Sequence, residues 1–233
     1  MNKKVFIGLL ILLSQTATAQ TEIQKKFTLI KAAAEAGDKE SQYYLATFYL
    51  LGKVVPKDIN KALYWNQKSA EQGYAPAEYE VAVHYSEGIN ASIDCSKSLY
   101  WYQKAVEQQY APAQANLGYY YVTGKCVEKD IKLGLELTEK AVSKNNPLAI
   151  FNLGTFYLNG TGVGVDLQKA RKLYELGSEL NDNQSQFNLG VMYAQGNGVE
   201  LNVKTSLIYF KKSCENGNTN ACDIVRNPQN YGL

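Results

Sequence analysis

The chain has 233 residues, of which 24 are Lys or Arg, 22 are Asp or Glu and one is His. Loss of the N-terminal segment described next removes Lys3 and Lys4 and no acid, leaving 22 basic against 22 acidic residues. A formal charge near zero gives no electrostatic footprint for nucleic acid or for an anionic membrane surface.

Residues 1–4 are short and basic, residues 5–13 are an uninterrupted apolar run with one glycine, and residues 14–20 turn small and polar. Ala17-Thr18-Ala19 has the A-x-A form that signal peptidase reads, so residues 1–19 read as a secretory signal peptide cleaved after Ala19. The apolar run is far short of the roughly 20 residues a spanning helix needs, so no stable membrane insertion is expected. No cysteine follows the run, which argues against a lipoprotein. The expected location is the periplasm or the outside of a bacterial cell.

Beyond the signal, the sequence repeats. Tyr49, Tyr85, Tyr121, Tyr157 and Tyr193 stand 36 residues apart, and Gly52, Gly88, Gly124, Gly160 and Gly196 follow each by three. Ala46, Ala82, Gly118, Gly154 and Gly190 form a small column, and Asp58, Asp94, Asp130, Asp166 and Asn202 a polar one. A period of this length is the signature of stacked supersecondary units. Residues 20–37 read as an N-terminal half-repeat helix, 38–217 as five repeats, and 218–233 as a C-terminal capping helix with a frayed tail.

Each repeat reads as two helices. In the first, residues 39–51, positions 41, 45, 48, 49 and 52 make an apolar or small stripe at helical spacing. The small column at 46 lets the partner helix come close. The glycine at 52 ends the helix in a left-handed residue. Asp58 caps the second helix, residues 60–72, which buries Ala62, Trp65, Ser69 and Ala70. Pro76 and Pro112 fit the first turn of the helix that follows. The fold class expected is all-α, an α/α solenoid of about 12 helices.

These columns resemble the Sel-one-like repeat (SLR) family, a relative of the tetratricopeptide repeat. Phe151-Asn-Leu-Gly-Thr-Phe-Tyr-Leu-Asn-Gly-Thr-Gly-Val163, followed by Asp166, Lys169-Ala170 and Tyr174, is similar to the family pattern almost throughout. Trp65 and Trp101 take its aromatic position in the second helix. The third repeat departs from it, with Leu133-Gly134 for Lys-Ala and Leu137 for the aromatic, and looser helix packing is expected there. The resemblance implies an adaptor or scaffold role and names no partner.

Four cysteines in an exported chain read as two disulfides, with free buried thiols as the alternative. The C-x7-C spacing of Cys214 and Cys222 resembles that of the Helicobacter cysteine-rich proteins, where such pairs staple adjacent helices. Cys95 and Cys126 occupy places that stacked repeats bring together, so Cys95–Cys126 is the second expected bridge.

Chemistry is sparse. No lysine has a serine three residues before it, so the Ser-x-x-Lys pair of penicillin-binding proteins is missing. His84 shares a column with Phe48, Tyr120, Phe156 and Met192 and reads as a core residue. Gly160-Thr-Gly162-Val-Gly164 coincides with the ordinary turn between helices and lacks a Gly-Lys-Ser/Thr ending. No cofactor and no metal are expected, and the balance leans away from an enzyme.

Binding is expected on the first-helix face opposite the core stripe, columns 40, 44, 47 and 51, which in related solenoids lines the groove. Its candidates are Tyr44 and Thr47, Glu80 and Val83, Asn116 and Tyr119, Asn152 and Thr155, then Asn188 and Val191. The lane has no lysine or arginine and suits a neutral or mildly basic protein segment. The leading expectation is therefore an exported interaction scaffold whose partner is another protein. An immunity protein that clasps a secreted toxin or effector is one form of it. A β-lactamase-like or penicillin-binding protein and a secreted host-interaction factor are the alternatives.

Overall fold

The structure is a computed structural model and describes residues 17–89 and 92–233. The expected signal peptide lies outside the described residues as far as residue 16. The chain forms two compact units, one up to Gln108 and one from Gln109 onward. Unit 1 holds α1 (Ala17–Glu35), α2 (Lys39–Leu51), α3 (Ile59–Ala70), α4 (Ala75–Glu87) and α5 (Cys95–Glu107). Unit 2 holds α6 (Ala111–Thr123), α7 (Ile131–Val142), α8 (Pro147–Asn159), α9 (Leu167–Glu179), α10 (Asn183–Gln195), α11 (Val203–Glu215) and α12 (Thr219–Arg226), then a 3-10 turn, Pro228–Tyr231. Within each unit every helix packs on the next, the arrangement of an α/α solenoid of helix pairs.

The punctuation of the repeat is built as its residue types dictate. Gly52, Gly88, Gly124, Gly160 and Gly196 all hold positive φ, from 62 to 79°, and close the first helices. Asp58, Asp94, Asp130, Asp166 and Asn202 each accept from the backbone N–H three residues on, at 2.9–3.0 Å. The backbone N–H of that same residue donates to the carbonyl of the repeat's tyrosine, as from Asp58 to Tyr49 at 3.0 Å, which closes the loop between the two helices. Lys61, Lys97 and Lys169 pair with the capping aspartates and lie over the rings of Tyr49, Tyr85 and Tyr157. The column tyrosine thus closes each turn with its backbone and, in the first, second and fourth repeats, carries a cation on its ring.

Two columns that periodicity does not single out lock each pair of helices. Gln42 bonds Gln72 at 2.8 Å, Glu78 bonds Gln108 at 2.8 Å, and Gln186 bonds Asn216 at 3.0 Å. Repeat three uses Lys144 and Gln114, at 3.4 Å, and repeat four replaces the pair by Ile150 and Leu180. Gln42 and Gln186 also donate to the carbonyls of Ala34 and Ser178, at the ends of α1 and α9. Carbonyls that a helix terminus leaves unpaired are satisfied in this way.

Two expectations need correction. Helix packing in the third repeat is tighter, not looser. A Cβ on Gly118 would lie 2.8 Å from the carbonyl oxygen of Gly134, and a Cβ on Gly134 2.8 Å from that of Gly118. Two glycines face each other there, so the backbones of α6 and α7 approach directly. The C-terminal tail is also ordered. Tyr231 donates to Asp223 at 2.5 Å, and Leu233 packs on the cluster of Phe210, Ala221 and Ile224.

No cysteine among the described residues is free. Cys214 and Cys222 are bridged across the turn between α11 and α12, with Cα atoms 4.6 Å apart. Cys95 and Cys126 are disulfide-bonded too. Cys126 holds a left-handed φ of 62° where the next repeats have Gly162 and Gly198. A Cβ at those glycines would meet Ile131 at 2.9 Å and Leu167 at 2.6 Å, residues in the column of Cys95.

Candidate functional site

The expected binding lane runs along the first helices, and each unit presents its own stretch. In unit 1, Tyr44 and Thr47 are buried in the core that α1 and α2 share with Tyr43, Phe27 and Phe48. Thr47 donates to the carbonyl of Tyr43 at 3.1 Å. Burial, with a hydrogen bond to Glu40 adding to it, pushes the Tyr44 phenol far above its ordinary value. Glu80 and Val83 are half-buried. The acids on this stretch are Glu40, Glu80 and Glu87.

The unit 2 stretch carries no charged residue. Asn116, Thr155, Asn188 and Val191 are half-buried, and Tyr119 is 38 % exposed. The Tyr119 ring stacks on buried Phe156 of the next repeat, with centroids 6.3 Å apart and planes 14° apart. Asn152 is 7 % exposed; among the described residues its amide makes no hydrogen bond, yet it is not sealed from solvent either.

A residue of the outer helices also reaches this lane. Tyr174, on α9, is fully buried, its ring packed against Gly154, where a Cβ would come within 2.7 Å of it. Its hydroxyl lies 3.0 Å from that of Thr155 on α8. Burial pushes the phenol above its ordinary value, and the nearby polar groups of Thr155 and Asn188 pull against that rise. Thr155 donates its own proton to the carbonyl of Phe151 at 2.9 Å. The Tyr174 proton therefore goes to Thr155.

The column of Tyr174 differs from repeat to repeat. Asn152 stands 14 residues after Thr138, as Asn188 does after Tyr174. Thr138 is too short to cross between helices and donates instead to the carbonyl of Gly134 at 2.8 Å. In the last repeat the column holds Phe210, and the flanking places are apolar Val191 and Ile224. Sequence reading missed Tyr174 because a buried aromatic at a core column looks like packing alone. The signal was the pair of polar neighbours at Thr155 and Asn188.

The remaining candidates lie elsewhere. His84 is buried, edge-on to Tyr85 at 5.7 Å, and burial lowers its pKa, so the imidazole is a neutral core group. Among the described residues no helix is long and apolar enough to cross a membrane.

Comparison with known proteins bears on this arrangement directly. The Sel1 repeat pattern matches residues 39–74, 75–110, 111–146, 147–182 and 183–218. The chain belongs to the Sel1 repeat family. Among solved structures, it is similar to a Sel1 repeat protein from Oxalobacter formigenes, at 29% identity over 91% of this chain and 78% of that one, with a TM-score of 0.69. It is also similar to c5321, a protective antigen with an SLR fold from uropathogenic Escherichia coli, at 28% identity over 91% of this chain and 50% of that one, with a TM-score of 0.66. Immunity protein Pa5087 of Pseudomonas aeruginosa shares the fold at 20% identity, covering 82% of this chain and 73% of its own, with a TM-score of 0.59. A search of curated proteins gave no match. The repeats make the chain a scaffold for protein–protein interaction, and the fully oxidised cysteines fit a non-reducing compartment.

Proposed function

We propose that this Sel1 repeat protein is an exported scaffold that holds a protein partner along the first-helix lane of unit 2. One observation carries the reading. The stretch from Asn116 to Val191 combines amides, hydroxyls and one exposed aromatic with no charge, on helices braced from behind by Gly154, Gly190 and Tyr174. Side chains on helices are held more precisely than side chains on loops, which favours selective binding. The two disulfides and the A-x-A segment at Ala17–Ala19 support residence in the periplasm or outside the cell. Immunity protein Pa5087 supports a narrower version, in which the partner is a secreted toxin that this chain neutralises.

The experiment is affinity capture of the partner from envelope extracts by the mature chain. Tyr119→Ala with Asn152→Ala should weaken capture at least about tenfold, or about 1.4 kcal/mol. Gln67→Ala with Gln103→Ala, on the outer helices, should leave it unchanged. If the outer pair abolishes capture and the lane pair does not, the binding face is wrong. An adjacent toxin gene, and protection from its product, would support the immunity version.

A further inference from the structure

We propose that the second repeat carries a proton-operated latch: protonated, Glu78 ties the end of α3, the start of α4 and the end of α5 together, and ionised it lets go of α3. The latch lies wholly within unit 1 and is separate from the unit 2 lane.

The first observation is what the other repeats place at this position. Glu78 stands in the column of Gln42, Gln114, Ile150 and Gln186, none of which titrates. Two of those glutamines use both halves of the amide. Gln42 accepts from Gln72 at 2.8 Å and donates to the carbonyl of Ala34 at 3.2 Å. Gln186 accepts from Asn216 at 3.0 Å and donates to the carbonyl of Ser178 at 3.3 Å. One amide thus links three consecutive helices at their ends.

Glu78 keeps only the accepting half of this set. Gln108 donates to its carboxyl at 2.8 Å, as Gln72 does to Gln42. The carbonyl in the register of Ala34 and Ser178 is that of Ala70, the last residue of α3. It accepts the Gly73 N–H at 2.8 Å, just as Ala34 and Ser178 accept from Gly37 and Asn181 at 3.1 Å. In the first and fifth repeats the side-chain amide adds a second donor to that carbonyl. A carboxylate has no proton to give there, whereas a carboxyl group has one. Protonation therefore completes at Glu78 what glutamine provides at every pH.

The second observation is the setting of the acid. Glu78 is 2 % exposed and, among the described residues, accepts one hydrogen bond, from Gln108. Burying a carboxylate with so little pairing is costly and favours the protonated form. The charges that act on it nearly balance. On α5, Lys104 favours ionisation and Glu107 opposes it, and these two pair with each other at 3.3 Å. On α2, Lys39 favours ionisation from a side chain that also donates to the carbonyl of Gln72 at 3.5 Å. Burial outweighs them, so Glu78 titrates above its ordinary 4.5 in the folded chain. The latch is closed in acid and opens as pH rises through that raised value. Glu80 and Val83 follow Glu78 on α4, so the latch sets how firmly unit 1 presents them.

The test follows hydrogen exchange of the oxidised mature chain by mass spectrometry, with rates corrected for the intrinsic effect of pH. Protection across residues 70–80 should be about fivefold lower at about pH 8 than at about pH 4.5, with residues 178–188 unchanged. Glu78→Gln should be equally protected at both pH values, at the level the parent reaches in acid. That variant should fold, since glutamine fills this column in three other repeats. Gln186→Glu should create the same pH dependence across residues 178–188. Carbon-13 NMR of the glutamate carboxyls should place the resonance that Glu78→Gln removes above 4.5. Titration of Glu78 at or below 4.5, or pH dependence that survives in Glu78→Gln, would overturn the latch. So would an equal pH effect across residues 178–188 of the parent, which marks a general charge effect. A Glu78→Gln chain that exchanges at the parent's faster rate, or a Gln186→Glu chain indifferent to pH, would show that donation to the helix end is not what closes it.

Discussion

Gly118→Ala is the sharpest probe of how the helix pairs are held together. The added methyl group would lie 2.8 Å from the backbone oxygen of Gly134, 0.6 Å inside the 3.4 Å at which ordinary contact begins. It would also lie 2.5 Å from the Thr138 hydroxyl oxygen, which can rotate, and 3.0 Å from the Thr138 backbone nitrogen, which cannot. Relief therefore requires α6 and α7 to part. Overpacking of this kind costs about 1–3 kcal/mol, against about 1 kcal/mol gained from the better helix propensity of alanine. The net expectation is a loss of up to about 2 kcal/mol, or a fall of up to about 8 °C in melting temperature at about 2–4 °C per kcal/mol. Differential scanning calorimetry of the oxidised chain measures it, with Gly164→Ala as the control. A Cβ at Gly164 meets nothing within 4 Å, so that variant should melt with the parent. A Gly118→Ala protein as stable as the Gly164→Ala protein would refute close backbone approach in the third repeat.

Glu78→Gln concerns pH. Burial raises the Glu78 pKa, so the folded chain holds this proton more tightly than the unfolded one and the contribution to stability is greatest in acid. That contribution is complete below the ordinary value of 4.5 and is lost as pH rises through the raised folded value. Glu78→Gln should therefore be the more stable protein at pH 7, with the advantage shrinking towards pH 4 in parallel thermal melts. Asp166→Ala removes a cap and should cost about 0.5–2 kcal/mol, seen as earlier unfolding in urea. Cys214→Ser with Cys222→Ser opens a bridge of sequence separation 8, worth about 2.5 kcal/mol by loop entropy. Hydrogen exchange should rise in α12 first and leave α2 to α5 unchanged. Non-reducing peptide mapping of the parent should recover Cys214 with Cys222 and place Cys95 and Cys126 in the other linked pair.

Most of the fold was legible because it is written in residues whose backbone or capping chemistry allows few alternatives. A glycine at 52 and an aspartate at 58, repeated every 36 residues, fix where each helix stops and the next begins. The structure puts those ends within two residues of where the spacing does. Burial across neighbouring helices was less legible. Tyr44 and Thr47 stand in columns that are mostly half-buried in other repeats, but in the first repeat both are buried, Tyr44 in the core that α1 completes. Gly134 was read as a defect because it departs from the family pattern, when it is the partner that the glycine at 118 requires. Tyr174 is the most instructive case. Its ring belongs to the core, as its column implies, while its hydroxyl belongs to the lane on the other side of the first helices. Whether a side chain at this column is only packing depends on what stands 19 residues before it and 14 after. Thr155 and Asn188 make Tyr174 polar at its tip; Val191 and Ile224 make Phe210 apolar throughout. Where the column residue is shorter, as at Thr138, its hydroxyl stays on its own helix and donates to the carbonyl of Gly134. A repeat protein can thus change which polar groups reach its first-helix face by changing one residue on the opposite helix, as Tyr174 does through Thr155 and Thr138 does not.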